Sequence, residues 1–244
     1  MLGPEEARRY ARHLVLKGLG GAGQQKLKAA RVLVVGAGGL GSPAIAYLAA
    51  AGIGTLGVVD DDSVALSNLQ RQVVHRTADI GRTKVESAGD FVAALNPFVE
   101  FVAHPLRLDA GNAQNLLAGY DLVLDGSDDF LTRAAVAAAA EAERLPLVAG
   151  AVSMFDGQLT VFAPHLTRPG GGAWPRFAHL YPETPDPDDL PSCEATGVLG
   201  PLTGVIGTLM AMEAIKLVSG IGEPLYGRLL LYDGRSARFT ELSY

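Results

Sequence analysis

Two kinds of hydrophobic pattern alternate along the first 150 residues of the chain. Short apolar runs, such as the β-branched RVLVV at 31–35, predict strands that are buried on both faces. Further strands are predicted at TLGVVD, VEFVA, DLVLD and PLVAG. Apolar residues at helical spacing predict a helix over about 83–95, and the N-terminal segment predicts an amphipathic helix with Tyr10 and Leu14 on one face. This alternation is typical of a parallel sheet built from βαβ units.

The pattern changes after Gly150, where two hairpins are predicted. AVSMFDGQLTVFA has its expected turn at Asp156-Gly157, and GRLLLYDGRSARFTEL has one near Asp233-Gly234. The predicted fold class is therefore α/β: a Rossmann-like mixed sheet, parallel in its N-terminal half and antiparallel in its C-terminal half. We expect a single domain over residues 1–244, with a mobile surface excursion at about 165–192, which is rich in proline, glycine and acid.

Composition narrows the function classes. Apolar residues make up 48% of the chain, and the net charge of −6 argues against a broad electrostatic grip on nucleic acid. The apolar run 198–220 is long enough to span a membrane, but it contains Pro201, Glu213 and Lys216. Together with an N-terminus unlike a leader peptide, this predicts a cytoplasmic protein without a membrane segment. Cys193 is the only cysteine, so neither an intramolecular disulfide nor a cage of several thiolates around zinc can form.

A glycine-rich turn follows the first predicted strand. Gly36, Gly38 and Gly41 form a G-x-G-x-x-G pattern, with Gly39 inside the same turn. In such turns the glycines allow a tight bend, close approach of phosphate to the backbone and close helix packing. Asp60 closes the next predicted strand, where a carboxylate can accept hydrogen bonds from ribose. A turn without a ligand is the alternative, and the motif alone does not distinguish ATP from a nicotinamide cofactor.

The stretch LSNLQRQVVH at 66–75 adds cations that hydride transfer does not need. Arg71 lies within it, and Arg82 and Lys84 lie at the start of the next predicted helix. Cations at a helix N-terminus oppose the helix dipole, which suggests an anionic ligand there. Taken alone, Lys84 could be a solvated surface lysine, and Arg71 with its amide neighbours could form a polar turn. Together with the glycine turn, Arg71 and Lys84 predict a triphosphate site rather than a dehydrogenase.

The segment DLVLDGSDDF brings acids to the same edge of the sheet. Asp125 ends a predicted strand, and Ser127, Asp128 and Asp129 precede a helix. A carboxylate at this edge could hold Mg²⁺ against phosphate oxygens. Serine capping with acids in the first turn is the ordinary alternative.

In sequence order, RYARHLVL, VLVVGAGGLGS, LSNLQRQ, GRTKVESA, LVLDGSDD and GPLTGVIGTLMAMEAIKL resemble the MoeB/ThiF family, bacterial relatives of the ubiquitin-activating enzymes. The resemblance covers almost the whole chain. It implies ATP-dependent adenylation of the C-terminal glycine of a ubiquitin-like sulfur carrier protein that ends in Gly-Gly, with release of pyrophosphate.

The resemblance also implies roles for individual residues. Arg12 would reach into the site of the neighbouring subunit, which implies a homodimer, and Cys193 would link covalently to the carrier or be an inert thiol. The implied nucleotide ligands are Gly41 for the phosphates, Asp60 for the ribose, Asn68, Arg71 and Lys84 for the triphosphate, and Asp128 for Mg²⁺.

The chain departs from the family pattern in two respects. Ala173 and Arg176 stand where many members have the first Cys-x-x-Cys pair of a structural zinc site, so we expect no zinc. Asp129 stands where an asparagine is common, which leaves the fine nucleotide contacts open. The excursion that holds His165 and His179 is expected to be looser in consequence.

Other functions remain open at this stage. A non-catalytic scaffold that binds carrier proteins and a tRNA-modifying relative that adenylates a carboxylate on RNA would share the fold. The sequence does not distinguish the molybdopterin, thiamine and thiolated-tRNA pathways. We expect the sulfur donor to be a separate protein.

Overall fold

The computed structural model describes residues 1–183 and 197–244. Its strands are β1 (Arg31–Val35), β2 (Thr55–Val59), β3 (Glu100–His104), β4 (Leu122–Asp125), β5 (Leu147–Ser153), β6 (Asp156–Phe162), β7 (Arg228–Asp233) and β8 (Arg238–Ser243). Its helices are α1 (Pro4–Arg9), α2 (Ala11–Leu14), α3 (Gly20–Ala29), α4 (Gly41–Ala51), α5 (Lys84–Leu95), α6 (Ala113–Leu117), α7 (Phe130–Ala142), α8 (Phe177–Leu180) and α9 (Gly200–Ser219). Short 3₁₀ turns lie at Leu66–Asn68 and Thr77–Asp79.

One sheet contains all eight of these strands, in the order β3-β2-β1-β4-β5-β6-β7-β8. Neighbouring strands from β3 to β5 are parallel, and β6, β7 and β8 continue the sheet antiparallel. The predicted fold class is therefore confirmed. The chain order reverses between β1 and β4, and in doubly wound sheets ligands bind at the carboxyl edge of such a switch point.

Strand β1 shows how the two faces of the sheet are covered. Val32 and Val34 belong to a core shared with α4, α5 and α9, whereas Leu33 and Val35 belong to a second core shared with α6 and α7. Because successive side chains of a strand point to opposite faces, a strand covered on both sides is apolar throughout. This explains the uninterrupted RVLVV run.

Helix α9 is long and apolar enough to span a membrane, but it packs inside this domain. It contacts α3, α4, β4, β5 and β6. Its charged residue Glu213 is buried, accepts a hydrogen bond from the Leu225 backbone N–H at 3.0 Å and pairs with Lys216. We therefore interpret α9 as the central helix of the domain.

The N-terminal segment differs from the single helix predicted. The backbone leaves helical geometry at Tyr10, which separates α1 from α2, and the Tyr10 side chain is buried. The Tyr10 hydroxyl accepts a hydrogen bond from the Asn96 amide at 2.8 Å. Helix α3, in GGAGQQKLKA, was not predicted, because its glycines weaken the helical signal.

The first hairpin turns earlier than predicted. Strand β5 runs from PLVAG through AVS, and Met154 and Phe155 form the turn, so Asp156-Gly157 already lies in β6. Gly157 is required for a different reason: a Cβ there would lie 2.4 Å from Cγ1 of Ile206 on α9. The second hairpin is confirmed, with the Asp233 carboxylate accepting hydrogen bonds from the backbone of Arg235 and the side chain of Ser236.

The described part of the excursion, 165–183, contains α8 and a bridge between Thr167 and Ala173. Phe177 of α8 packs its ring against Phe130 at the start of α7 and against Phe162 of β6, with ring centroids 5.8 Å and 5.7 Å apart. This aromatic contact joins the segment to the sheet and to α7. The remainder of the predicted excursion lies outside the described residues.

Candidate active site

A cleft of about 260 Å³ opens where β1, β2 and β4 end. It lies at the carboxyl edge of the parallel strands, as expected for this topology. Eight of the residues predicted from the sequence line it: Gly36, Gly38, Gly39, Asp60, Asn68, Arg71, Lys84 and Asp128. Residues far apart in sequence are thus brought to one site.

The glycine turn forms one wall of this cleft. Gly36 has a φ of +89°, a conformation that favours glycine, and Gly38 and Gly39 line the cleft. Gly41 is buried and is not part of the wall. A Cβ at Gly41 would lie 1.8 Å from the backbone oxygen of Gly36. That Gly41 contacts phosphate stays a prediction; in the structure its missing side chain allows helix α4 to pack closely, and Gly39 lines the cleft.

Asp60 supports the same turn. One carboxylate oxygen accepts the Ala37 backbone N–H at 2.7 Å, and the other accepts the Asp62 backbone N–H at 2.9 Å. Burial raises the pKa of Asp60, although Lys84 and the two backbone donors act in the opposite direction. Asp60 thus braces the glycine turn and also presents its carboxylate to the cleft.

Lys84 is the first residue of α5 and is buried. Its Nζ lies 2.7 Å from Oδ2 of Asp62 and 3.9 Å from Oδ1 of Asp60. The cations at the start of α5 predicted a negative charge at that helix end. Asp60 and Asp62 of the chain itself supply part of it. Arg82 pairs with Asp79 and Asp90, at 3.0 Å and 2.8 Å, and does not line the cleft.

Arg71 is held differently from Lys84. It is half-buried, and its Nη1 donates to the backbone oxygen of Ser67 at 3.1 Å. Among the residues that the structure describes, no carboxylate pairs with it. A Cβ on Gly39 would lie 3.5 Å from Arg71 Cδ, so the arginine stem passes beside the glycine turn. Asn68 Oδ1 accepts the Ala65 N–H at 2.9 Å and shapes the 3₁₀ turn.

The three acids after β4 have separate roles. Asp129 is the N-cap of α7, accepting the Thr132 backbone N–H at 3.0 Å, so the cap is an aspartate and not the serine of the ordinary alternative. Ser127 donates its hydroxyl to the Asp125 carboxylate at 2.6 Å, and burial raises the pKa of Asp125. Asp128 is exposed at the cleft, and within 1–183 and 197–244 no side chain pairs with it. Its carboxylate can therefore accept a ligand.

Several residues in or beside the cleft were not predicted from the sequence. Arg133 donates Nη2 to the Ser127 backbone oxygen at 2.7 Å. Gln72 is buried, and its Oε1 has no hydrogen-bond partner in the described chain. His75 does not line the cleft but lies beneath the glycine turn. Gln72 and His75 follow the predicted Asn68 by four and seven residues, a helical spacing that could have identified them.

Arg12 is exposed on α2 and does not line the cleft of its own chain. Ala173 pairs with Thr167, and Arg176 forms an ion pair with Glu141 at 3.2 Å, while Cys193 lies outside the described residues. The expectation that zinc is absent stays a prediction. One group of three potential metal ligands occurs among the described residues, Asp60, Asp61 and Asp62.

Comparison with known proteins gives a consistent result. The model of the ThiF family matches residues 10–244. The chain is 50% identical over its full length to the probable adenylyltransferase/sulfurtransferase MoeZ of Mycobacterium tuberculosis, and it spans 60% of the length of that protein. It is 48% identical to the sulfur carrier protein adenylyltransferase of Thermus thermophilus, covering 98% of this chain and 88% of the relative. It is 47% identical to the SAMP-activating enzyme E1 of Haloferax volcanii, with 97% and 84% covered.

Solved structures support the fold. PaaA superposes with a TM-score of 0.81 at 22% identity, covering 99% of this chain and 74% of PaaA. Escherichia coli MccB with ATP superposes with a TM-score of 0.78 at 19% identity, covering 91% and 66%. At these identities the likeness concerns the fold alone.

Proposed function

The chain belongs to the ThiF family, and from that premise we propose that it uses ATP to adenylate the C-terminal glycine carboxylate of a ubiquitin-like sulfur carrier protein. One observation carries the proposal: Arg71, Lys84 and the glycine turn converge on a single cleft at the carboxyl edge of the sheet. The names of the Thermus and Haloferax relatives support the same reaction class.

The reaction needs positioning and charge stabilisation more than covalent help from the protein. The carrier carboxylate attacks the α-phosphorus of ATP in line, an acyl adenylate forms, and pyrophosphate leaves. Arg71 Nη atoms and Lys84 Nζ donate to phosphate oxygens as negative charge builds on the leaving group. Asp60 would accept from the ribose hydroxyls. Lys84 must exchange part of its contact with Asp62 for phosphate, whereas no carboxylate of the described residues occupies the Arg71 guanidinium.

Asp128 is better suited to hold Mg²⁺ than the acidic triplet of Asp60, Asp61 and Asp62 is. Asp60 already accepts two backbone N–H groups, and Asp62 pairs with Lys84. Asp128 offers an exposed carboxylate on the cleft wall, and oxygen ligands suit Mg²⁺. Asp128 would hold the ion there, and bound Mg²⁺ would supply positive charge that offsets the phosphate charge.

Arg12 is proposed to serve the site of a second subunit in a homodimer. Its neighbours hold the segment in place: Tyr10 is tied to Asn96, and His13 Nδ1 lies 2.8 Å from Oε1 of the buried Gln24. Arg12 between them is exposed. Mixing Arg12→Ala and Arg71→Ala subunits tests this directly. If Arg12 acts across the dimer, the mixture regains activity that neither variant has alone; unchanged activity excludes the role.

The partner is proposed to be a Gly-Gly carrier of the molybdopterin, thiamine or thiolated-tRNA pathways, in the cytoplasm, with the sulfur donor a separate protein. A covalent link between Cys193 and the carrier belongs to the same proposal. Intact-mass analysis for a carrier adduct, repeated on Cys193→Ser, tests that link.

Intact-mass analysis also tests the reaction. Each candidate carrier is incubated with the enzyme, ATP and Mg²⁺ and then weighed. The expected result is a carrier that gains the mass of an adenylyl group. A carrier lacking its terminal glycine serves as control and should stay unmodified. If no Gly-Gly carrier gains mass while ATP binds, the proposed substrate class is wrong.

A further inference from the structure

His75 lies under the glycine turn in a line of hydrogen bonds. It is 6% exposed, and its Nε2 lies 3.0 Å from the Ala37 backbone oxygen. Its Nδ1 lies 2.8 Å from the Ser87 hydroxyl, which in turn lies 3.0 Å from Oδ2 of Asp79. Because Ser87 belongs to α5, this line joins the turn to the helix that begins with Lys84.

The contact with Ala37 determines where the next backbone N–H points. The carbonyl of Ala37 and the N–H of Gly38 belong to one trans peptide and point in opposite directions. Since His75 holds the carbonyl away from the cleft, the Gly38 N–H is aimed toward it. No hydrogen bond within the described chain uses the N–H of Gly38 or Gly39. On the other side, Asp60 holds the Ala37 N–H at 2.7 Å. The Ala37 backbone is therefore clamped from both ends.

We propose that His75 is a positioning residue for the nucleotide, holding the Ala37–Gly38 peptide so that the turn presents its N–H groups to phosphate. This inference rests on the proposed function only for the identity of the ligand, ATP. A carbonyl can only accept, so Nε2 must carry a proton in the contact. In neutral His75 Nδ1 is an acceptor, so the Ser87 hydroxyl, which has a single proton, turns from the Asp79 carboxylate to donate to Nδ1 and thereby fixes that tautomer.

Protonation leaves the positioning contact in place. Burial lowers the pKa of His75, and Lys84 adds to the effect, while Asp79 and the Ala37 carbonyl act against it. When the ring is protonated, Nδ1 donates to Ser87 and the hydroxyl donates to Asp79. In both states Nε2 donates to Ala37, so the role of His75 does not depend on its titration.

The test is ATP affinity, measured by calorimetry with Mg²⁺ and without carrier. His75→Leu removes the shorter of the two contacts on the Ala37 carbonyl, leaving the Ser42 hydroxyl at 3.4 Å, and should weaken ATP binding about tenfold, the effect of one buried hydrogen bond. His75→Gln offers a side-chain amide to the same carbonyl and should recover affinity to within about threefold of wild type. Ser87→Ala, which keeps the imidazole but frees its tautomer, should fall between the two.

His104→Leu is the matched control. His104 is partly buried and, among the described residues, makes one side-chain hydrogen bond, to the Tyr120 hydroxyl at 2.8 Å, but it does not line the cleft. We expect His104→Leu to bind ATP with an affinity within about twofold of wild type. Equal weakening in His75→Leu and His104→Leu, or no weakening in a folded His75→Leu, overturns the inference. If His75→Leu does not fold, the other two variants decide. The inference is overturned if Ser87→Ala binds ATP with the affinity of wild type and His75→Gln shows no recovery of ATP affinity.

Kinetics measured with the carrier distinguish the positioning role of His75 from the proposed adenylation reaction. His75→Leu should raise the KM for ATP about tenfold and leave kcat within about threefold. A fall in kcat at unchanged KM contradicts a positioning role. If wild type binds ATP but adenylates no carrier, the proposed function fails while the affinity series still decides the role of His75.

Discussion

Replacing Arg71 with alanine separates a functional cation from a structural one. Within the described residues the Arg71 side chain makes one hydrogen bond, to the Ser67 backbone oxygen at 3.1 Å, in a partly exposed position. Its loss should therefore lower the free energy of unfolding by no more than about 1 kcal/mol. For a chain of this size that corresponds to about 2–4 °C in Tm. Since domains are stable by about 5–15 kcal/mol, the variant remains folded at 25 °C.

The adenylation rate should change far more. Removing one preorganised donor from developing negative charge typically costs 10²–10³ in rate, or about 2.7–4 kcal/mol. Exchange of labelled pyrophosphate into ATP, at saturating ATP and carrier, measures this step. We predict a loss of about 10²–10³ for Arg71→Ala. A folded variant within about threefold of wild type would refute the assignment of Arg71 to the leaving phosphates.

Arg82→Ala is the control for this experiment. Arg82 pairs with Asp79 and Asp90 and does not line the cleft. Its removal deletes more ion pairs than that of Arg71, yet the exchange rate should stay within about threefold of wild type. Comparable losses in both variants would mean that arginine removal acts through stability or net charge.

Further predictions concern the backbone, the buried acid and the metal. Gly41→Ala should lower the free energy of unfolding by more than about 2 kcal/mol, since its Cβ would meet the Gly36 oxygen at 1.8 Å. Gly38→Ala, the control, should lower it by about 1 kcal/mol or less. Denaturant titration measures both, and equal losses of stability contradict the packing role of Gly41. Because burial raises the pKa of Asp125, its ionisation opposes folding, and this cost develops as pH rises from the unfolded pKa, near 4, through the higher folded value. Asp125→Asn should therefore gain stability relative to wild type as pH rises, in urea titrations across that range; a constant difference contradicts the sign. Asp128→Asn should unfold like wild type but need more Mg²⁺ for half-maximal exchange, and an unchanged Mg²⁺ dependence argues against Asp128 as a ligand.

The sequence was most informative where one physical cause dominates. Strands buried on both faces have uninterrupted apolar runs, and Thr83 caps α5 where the apolar spacing begins. Glycine was more ambiguous. Gly157 was interpreted as a turn residue, but it is glycine because Ile206 of α9 packs against it. That contact joins segments far apart in sequence, and no local pattern contains it.

The candidate site shows the same division. Motifs identified Arg71, Lys84 and Asp60 as cleft residues, because Asp60 follows a buried strand, Lys84 begins a helix and Arg71 lies in a polar stretch between them. They did not reveal that Lys84 is already paired with Asp62. Nor did they reveal His75, because a buried histidine acting on a backbone carbonyl leaves no charge pattern in the sequence. The hydrogen bonds and ion pairs within the site depend on tertiary packing.

The most direct test of the central claim is a crystal structure of the protein with an unreactive ATP analogue and Mg²⁺. We predict that Arg71 and Lys84 lie within hydrogen-bond distance of the β- and γ-phosphate oxygens, with Asp128 on the metal side. A nucleotide bound in this cleft with both cations directed into solvent, far from any phosphate, would contradict the account.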